Sequence, residues 1–210
     1  MTKLAKLAKL AKLAAVFATI LSCTTVHAKN TIFGINAGFA FGGDILGTAT
    51  DTDGSTDSIE AGSGLIIGGL VITPLFDDLY GKIAFNYLSD SSPASNGELS
   101  FTRFPIDFLI LKKLNNTLLG VGATYHFNSD YEVPIDNTTN TYDHNIGNSL
   151  GLILEATYSI KAGYVYYLDL GIRYTSIEYT IDRTAKSSGA VVSSTDVDGS
   201  SLALTFGTTF

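Results

Sequence analysis

The run His126-Phe127-Asn128-Ser129 places an imidazole three positions ahead of a hydroxyl. With a carboxylate added, these are the parts of a nucleophilic acyl hydrolase, in which the imidazole takes the hydroxyl proton. The spacing argues against that use. Side chains of a strand alternate between faces, so residues three apart point opposite ways and Ser129 leaves the face that carries His126. His144, beside Asp143, has no second histidine at ligand spacing and reads as a solvated loop residue rather than a metal ligand. Gly62-Ser63-Gly64 falls inside an alternating segment and leads into no helix, so a phosphate-cradling loop is not expected there.

A second candidate is DTDGSTD, in which Asp51, Asp53 and Asp57 surround Gly54. Carboxylates at alternate positions beside a flexible glycine are the raw material of a divalent-ion loop, because a hard cation needs several oxygens on a tightly curved backbone. The twelve-residue calcium pattern is incomplete, since Glu60 falls too early to close it. A solvated acidic tip is the expectation and an ion loop the alternative; no metal site and no cofactor are assigned.

The elements that must position these groups are strands. Eight segments of alternating apolar and small or polar residues lie near 32–43, 58–72, 79–89, 98–111, 117–128, 148–160, 163–180 and 198–210. Each is long enough for a tilted membrane-spanning strand of about 9–11 residues. Their connections alternate: long (44–57), short (73–78), medium (90–97), short (112–116), long (129–147), short (161–162), long (181–197). Short turns at one end and long loops at the other, with an even strand count, are expected of a barrel threaded through a membrane from one side. A soluble β-sandwich shares the alternation but has no reason for the asymmetry.

On that alternation Glu60, Lys82, Arg103, Asp107, Glu155, Asp169 and Arg173 all take the inner face. Four acids and three bases interleaved can pair and hydrogen-bond where single charges would be costly. A polar core that fills the barrel is the first expectation, and a narrow charge-lined pore the second. The inner face is otherwise small: Gly34, Asn36, Gly38, Ala40 and Gly42 oppose Phe33, Ile35, Ala37, Phe39 and Phe41. Aromatic residues gather at segment ends (Tyr80, Tyr87, Phe104, Tyr125, Phe127, Tyr158, Tyr164, Tyr174, Phe210), as girdles at two lipid interfaces require.

The first 28 residues read as a secretory signal: a lysine-rich start, a short apolar run from Ala14 to Leu21, and the small-x-small site Val26-His27-Ala28. Ile20-Leu21-Ser22-Cys23 offers a lipid-anchoring cleavage as an alternative. A lytic amphipathic helix is disfavoured because the Lys-Leu-Ala repeat has period 3.0 rather than 3.6, so the lysines drift around it. Without Lys3, Lys6, Lys9 and Lys12 the formal charge moves from −7 by four units to −11, which excludes nucleic-acid binding through phosphates. With cleavage at Ala28 the mature chain has no cysteine for a disulfide.

The signal, the eight segments, the opening TIFGINAGFAFGGD and the terminal LALTFGTTF together resemble the small eight-stranded outer-membrane barrels of Gram-negative bacteria, of the OmpA/OmpX/OmpW type. The resemblance implies an all-β fold: an eight-stranded antiparallel transmembrane barrel over 29–210, preceded by a helical signal peptide over 1–28. It implies outer-membrane localisation and no enzyme activity. It implies that Leu204, Phe206 and Phe210 form the signal read by the barrel-assembly machinery, with Thr208 at a position often apolar. Outer-membrane deacylases are also eight-stranded barrels, but their serine follows the histidine by two residues, where this chain has Asn128. Asp130, Glu132, Asp136, Asp143, Asp182, Asp196 and Asp198 make the long loops acidic, a surface for divalent ions bridging to lipopolysaccharide phosphates. The expected role is structural or surface-interacting, with outer-membrane lipid and lipopolysaccharide as partners; a narrow channel is the alternative.

Overall fold

A computed structural model describes residues 31–50, 54–94, 97–132, 142–163, 166–185 and 189–210. The proposed signal, Cys23, Asp51, Asp53, Asp136 and Tyr164 lie outside the described residues. Eight strands close into a barrel: β1 (Ile32–Phe41), β4 (Gly64–Phe76), β5 (Leu79–Ala94), β6 (Gly97–Leu114), β7 (Thr117–Glu132), β9 (Ser149–Lys161), β10 (Tyr167–Ser176) and β13 (Ser201–Thr209). Every neighbouring pair is antiparallel, and β13 returns to β1, with Gly34 opposite Thr209 and Phe41 opposite Leu202. Phe210 extends this seam: its amide donates to Phe33 O at 2.8 Å, and the Phe33 amide donates back at 3.0 Å.

The alternation read from the sequence sets the two faces. Ile35, Phe39, Phe108, Val121, Leu152 and Leu204 point outward and are 49–68% exposed, whereas Gly34, Gly38, Ala40, Thr124 and Ala203 are buried inside. A ring of apolar side chains on the outside of a closed barrel is a lipid-facing surface; in water it would be an aggregation patch. Closure also removes the soluble-sandwich alternative, because no sheet edge is left to pack as a second layer. Among the described residues no helix is long and apolar enough to cross a membrane.

Three of the four connections at the far end are not plain loops. In the first, β2 (Ile45–Thr50) pairs antiparallel with β3 (Thr56–Glu60). β8 (Tyr142–Ile146), β11 (Glu178–Ala185) and β12 (Val191–Asp198) form a three-stranded sheet. The fourth, expected as a medium loop over 90–97, continues the β5–β6 ladder out to Ala94 opposite Gly97. β6 has 18 residues and β5 and β7 have 16 each, well beyond the need of a membrane, so their outer thirds stand clear and back these added strands. Their inward residues are accordingly apolar. Leu99 and Phe101 of β6, Ile59 and Ala61 of the β3 end, and Ile177 and Tyr179 at the start of β11 form a buried core, flanked by Leu46, Tyr131, Ile146 and Val197. We call this assembly the cap.

The joints between barrel and cap meet on one rim. Gly62 donates to Gly42 O at 3.0 Å, Asp44 N to Asp198 O at 2.7 Å, Ala61 N to Asp44 O at 2.8 Å and Gly199 N to Ile177 O at 2.9 Å. Gly62-Ser63-Gly64 is thus a bend that separates β3 from β4, not the middle of one strand over 58–72. A Cβ on Gly62 would lie 2.6 Å from the carbonyl oxygens of both Gly42 and Ser200 and 2.8 Å from that of Gly199. All three are backbone atoms that move only with the rim. Gly62→Ala is therefore expected to cost roughly 1–3 kcal/mol, whereas Gly81→Ala, whose nearest neighbour is 3.6 Å away, should be close to neutral. The midpoints of heat-dependent gel shift of the two variants check this.

Candidate functional site

The inner face builds a stack of polar layers. Nearest the short-turn end, Lys82 of β5 donates to both carboxylate oxygens of Glu155 of β9, at 2.6 and 2.8 Å, and Thr157 adds a bond to Glu155 at 3.2 Å. Asp169 accepts from Ser159 at 2.5 Å. One layer further in, Asp107 of β6 takes Arg173 of β10 in a two-pronged pair, with Nη1 at 2.6 Å and Nη2 at 3.0 Å. Asn86 and Thr124 donate to the same carboxylate at 2.8 and 2.6 Å, and Asn36 donates to Asn86 at 3.2 Å.

Both ion pairs span the lumen. In the closed order β5 and β9, and likewise β6 and β10, are three steps apart around an eight-membered ring. Glu155 and Arg173 are direct cross-strand partners in the register, yet each reaches across the barrel to another residue instead. The pairs act as struts that hold opposite walls at fixed distance, and the Asp107–Arg173 strut is the more shielded from water, with Asp107 fully buried.

Above the struts the lumen is shut. Arg103 is fully buried; its Nη2 donates to Ser63 O, and its guanidinium carbon stands 4.3 Å from the centre of the Phe101 ring. Tyr179 meets Phe101 edge to face at 5.5 Å, and its hydroxyl hydrogen-bonds His126 Nδ1 at 2.6 Å. Phe101, Ile59 and Tyr179 are at most 1% exposed. Below the struts a cavity of about 310 Å³ lies towards the short-turn end, lined by Asn36, Tyr80, Lys82, Lys113, Lys161 and Asp169 among others.

Of the seven inward charges expected from the sequence, four form the two struts. Asp169 and Arg103 also face inward, but bond to a serine and to the backbone. Glu60 belongs to the cap: it sits on β3, accepts from Ser63 Oγ at 2.6 Å and Gly42 N at 3.2 Å, and its own amide donates to Asp90 at 3.1 Å. Tyr80 also departs from expectation, facing inward against Ile72, Leu109, Leu111 and Ile153 rather than joining a lipid girdle. That apolar patch inside the lumen was legible only as Leu109-Ile110-Leu111, which is apolar on both faces. The outer girdle does form: Tyr87, Phe104, Phe127 and Tyr125 make a chain of ring contacts with centroids 5.5–6.4 Å apart. Phe210 lies 6.4 Å from Tyr166 at the opposite end.

The His126–Ser129 pair is decided by a bulge. Phe104 pairs with Phe127 and Thr102 with Asp130, so β7 carries one extra residue, and Asn128 adopts φ 53° to absorb it. The extra residue reverses the alternation and turns Ser129 to the buried side, against the expectation that it leaves that face. Among the described residues its hydroxyl has no hydrogen-bond partner, and His126 Nδ1 is bonded to Tyr179, so hydroxyl and imidazole are not joined as nucleophile and base. His144 lies in β8 with its ring edge-on to Tyr131 at 5.8 Å. Asp57 is exposed and bonds only the neighbouring Ser58 amide, at 3.0 Å; no cluster of metal-binding side chains occurs among the described residues. At the rim, the Ser200 hydroxyl and amide hold the Asp198 carboxyl below the usual carboxylate range.

No protein-family profile and no curated protein matches the sequence. Solved structures do match its shape. The outer membrane protein OprG from Pseudomonas aeruginosa superposes with a TM-score of 0.57 at 17% identity, covering 87% of this chain and 97% of that one. The outer membrane protein AlkL gives 0.48 at 12% identity, over 89% and 92%. Fold does not carry function at such identities. A closed eight-stranded wall, an apolar exterior and the likeness to OprG together identify the architecture as that of the small outer-membrane β-barrels.

Proposed function

We propose that the protein is an outer-membrane barrel that works at the cell surface through its folded acidic cap, with the barrel as anchor. The carrying observation is that the long connections are packed into sheets over a shared apolar core while struts and cap close the lumen beneath them. A protein selected only to span the membrane has no need of a packed outer layer. Asp57, Asp130, Glu178 and Asp196 are exposed on cap strands or at the outer end of β7, a distribution suited to divalent cations shared with lipopolysaccharide phosphates. Phe210, Phe206 and Leu204 on the β13 outer face and terminus would serve assembly into the membrane.

The test is association of the refolded protein with lipopolysaccharide-containing vesicles in Mg²⁺, before and after Asp57→Asn, Asp130→Asn and Glu178→Gln are combined. Loss of most Mg²⁺-dependent association with an unchanged heat-dependent gel shift is expected. Unchanged association overturns the surface reading. A second reading, a gated channel, is favoured by the 310 Å³ cavity behind the struts; discrete conductance steps from the unaltered protein in a planar bilayer would establish it.

A further inference from the structure

Between the Asp107–Arg173 strut and the cap core lies a second cavity of about 20 Å³, walled by Arg103, His126, Arg173, Tyr179, Pro105 and Gly199 among others. That exceeds the roughly 10–15 Å³ one water requires. Asn86, Thr175 and Ser201 also line it, but Arg103 and His126 bring donors that are left over. Arg103 uses Nη2 on Ser63 O and lies beside the Tyr179 hydroxyl, but among the described residues Nε and Nη1 make no hydrogen bond of good geometry, and neither does His126 Nε2, although Arg103 is fully buried and His126 is only 3% exposed. When the Tyr179 hydroxyl donates to Nδ1, the imidazole proton resides on Nε2 and that atom is a third donor.

The charge balance points the same way. Arg173 is neutralised by Asp107 and spends Nε on Thr175 at 3.2 Å. Arg103 makes no ion pair among the described residues. The carboxylates on its cap side are engaged elsewhere: Glu60 with Ser63 and Gly42, Asp90 with the Glu60 amide. A buried guanidinium with two N–H groups left over, and with Asp90 acting on it only from beyond ion-pair distance, is costly. We propose that this cavity binds one small monovalent inorganic anion, chloride under ordinary salt, held by Arg103 and His126 and locking the cap onto the barrel. A water would satisfy donors but leave the guanidinium charge unbalanced; a halide accepts from the same donors and supplies the charge.

The proposal is independent of the surface role. It is tested first without mutation, in crystals grown with sodium bromide in place of chloride: an anomalous bromine peak between Arg103 and His126 is expected, and an ordered cavity without one overturns the site. In solution, the heat-dependent gel-shift midpoint should stand higher in sodium chloride than in sodium gluconate at equal ionic strength, by on the order of 2–4 °C. The halide effect should vanish in Arg103→Met, and in His126→Phe should that variant be the one that folds. An equal halide effect in the folded variant and the parent protein would assign it to general salt action and end the proposal.

Discussion

Asp107→Ala should be among the most damaging single substitutions in this barrel, lowering stability by about 3–5 kcal/mol. The carboxylate is fully buried and accepts four hydrogen bonds, two from Arg173 and one each from Asn86 and Thr124. Truncation therefore leaves one buried guanidinium without its hydrogen-bonded counter-charge and two further donors without an acceptor. Asp107→Asn keeps the shape and one acceptor oxygen but not the charge, and should fall between alanine and the parent. The double variant Asp107→Leu with Arg173→Met removes both charges and should recover much of the loss, because a buried pair is expensive to break and cheaper to replace whole. Lys82→Met is the contrast: that strut borders the 310 Å³ cavity, and Lys82 is 10% exposed, so its partner is open to rehydration. The unfolding midpoint in urea for barrels refolded into lipid vesicles measures all four. Equal midpoints for Asp107→Ala and the parent would show that the strut carries no net stability.

The difference between what could and could not be read from the sequence follows from range. Alternation is a property of adjacent residues, so it placed Lys82, Arg103, Asp107, Glu155, Asp169 and Arg173 on the inner face and the Phe39, Val121 and Leu204 sides on the outer one. Pairing across a lumen depends on closure of the ring. Register alone sets Glu155 beside Arg173, and only the curvature of the closed wall brings Lys82 and Asp107 within reach of them. The same limit explains Glu60. Its alternation with Gly62 and Gly64 is intact, but the bend at Gly62 arises from carbonyls of Gly42, Gly199 and Ser200, residues distant in sequence. Ser129 failed for a local reason that one sequence does signal weakly: an asparagine in the left-handed region, where its short polar side chain is tolerated, shifts the phase by one. Among the strands of the cap, β12 is the hardest to read, because Val191–Asp198 is exposed at nearly every position and carries one inward apolar residue, Val197.

Phe101→Ala is expected to loosen the cap while sparing the barrel. The ring is fully buried, packs edge-on to Tyr179 at 5.5 Å, and covers Arg103 at 4.3 Å. Its removal should cost about 3–5 kcal/mol for the cavity, with roughly 0.5–1.5 kcal/mol of that scale added by the lost ring pair. Phe101 lies in the outer part of β6, beyond the strutted lumen, so the damage should appear as local opening rather than global unfolding. Protease cleavage within the cap should accelerate, and the heat-dependent gel shift, which reports the barrel, should move less. Conductance separates the two closures. With the cap loosened, the Asp107–Arg173 strut still crosses the lumen, so Phe101→Ala alone should pass no discrete current. Adding Asp107→Leu and Arg173→Met removes the second barrier and should produce steps. Current from Phe101→Ala alone would mean that the cap is the whole gate and the strut only a brace; silence from the triple variant, in a barrel shown to be folded, would mean that the apolar patch around Leu109 and Ile153 seals the lumen without either.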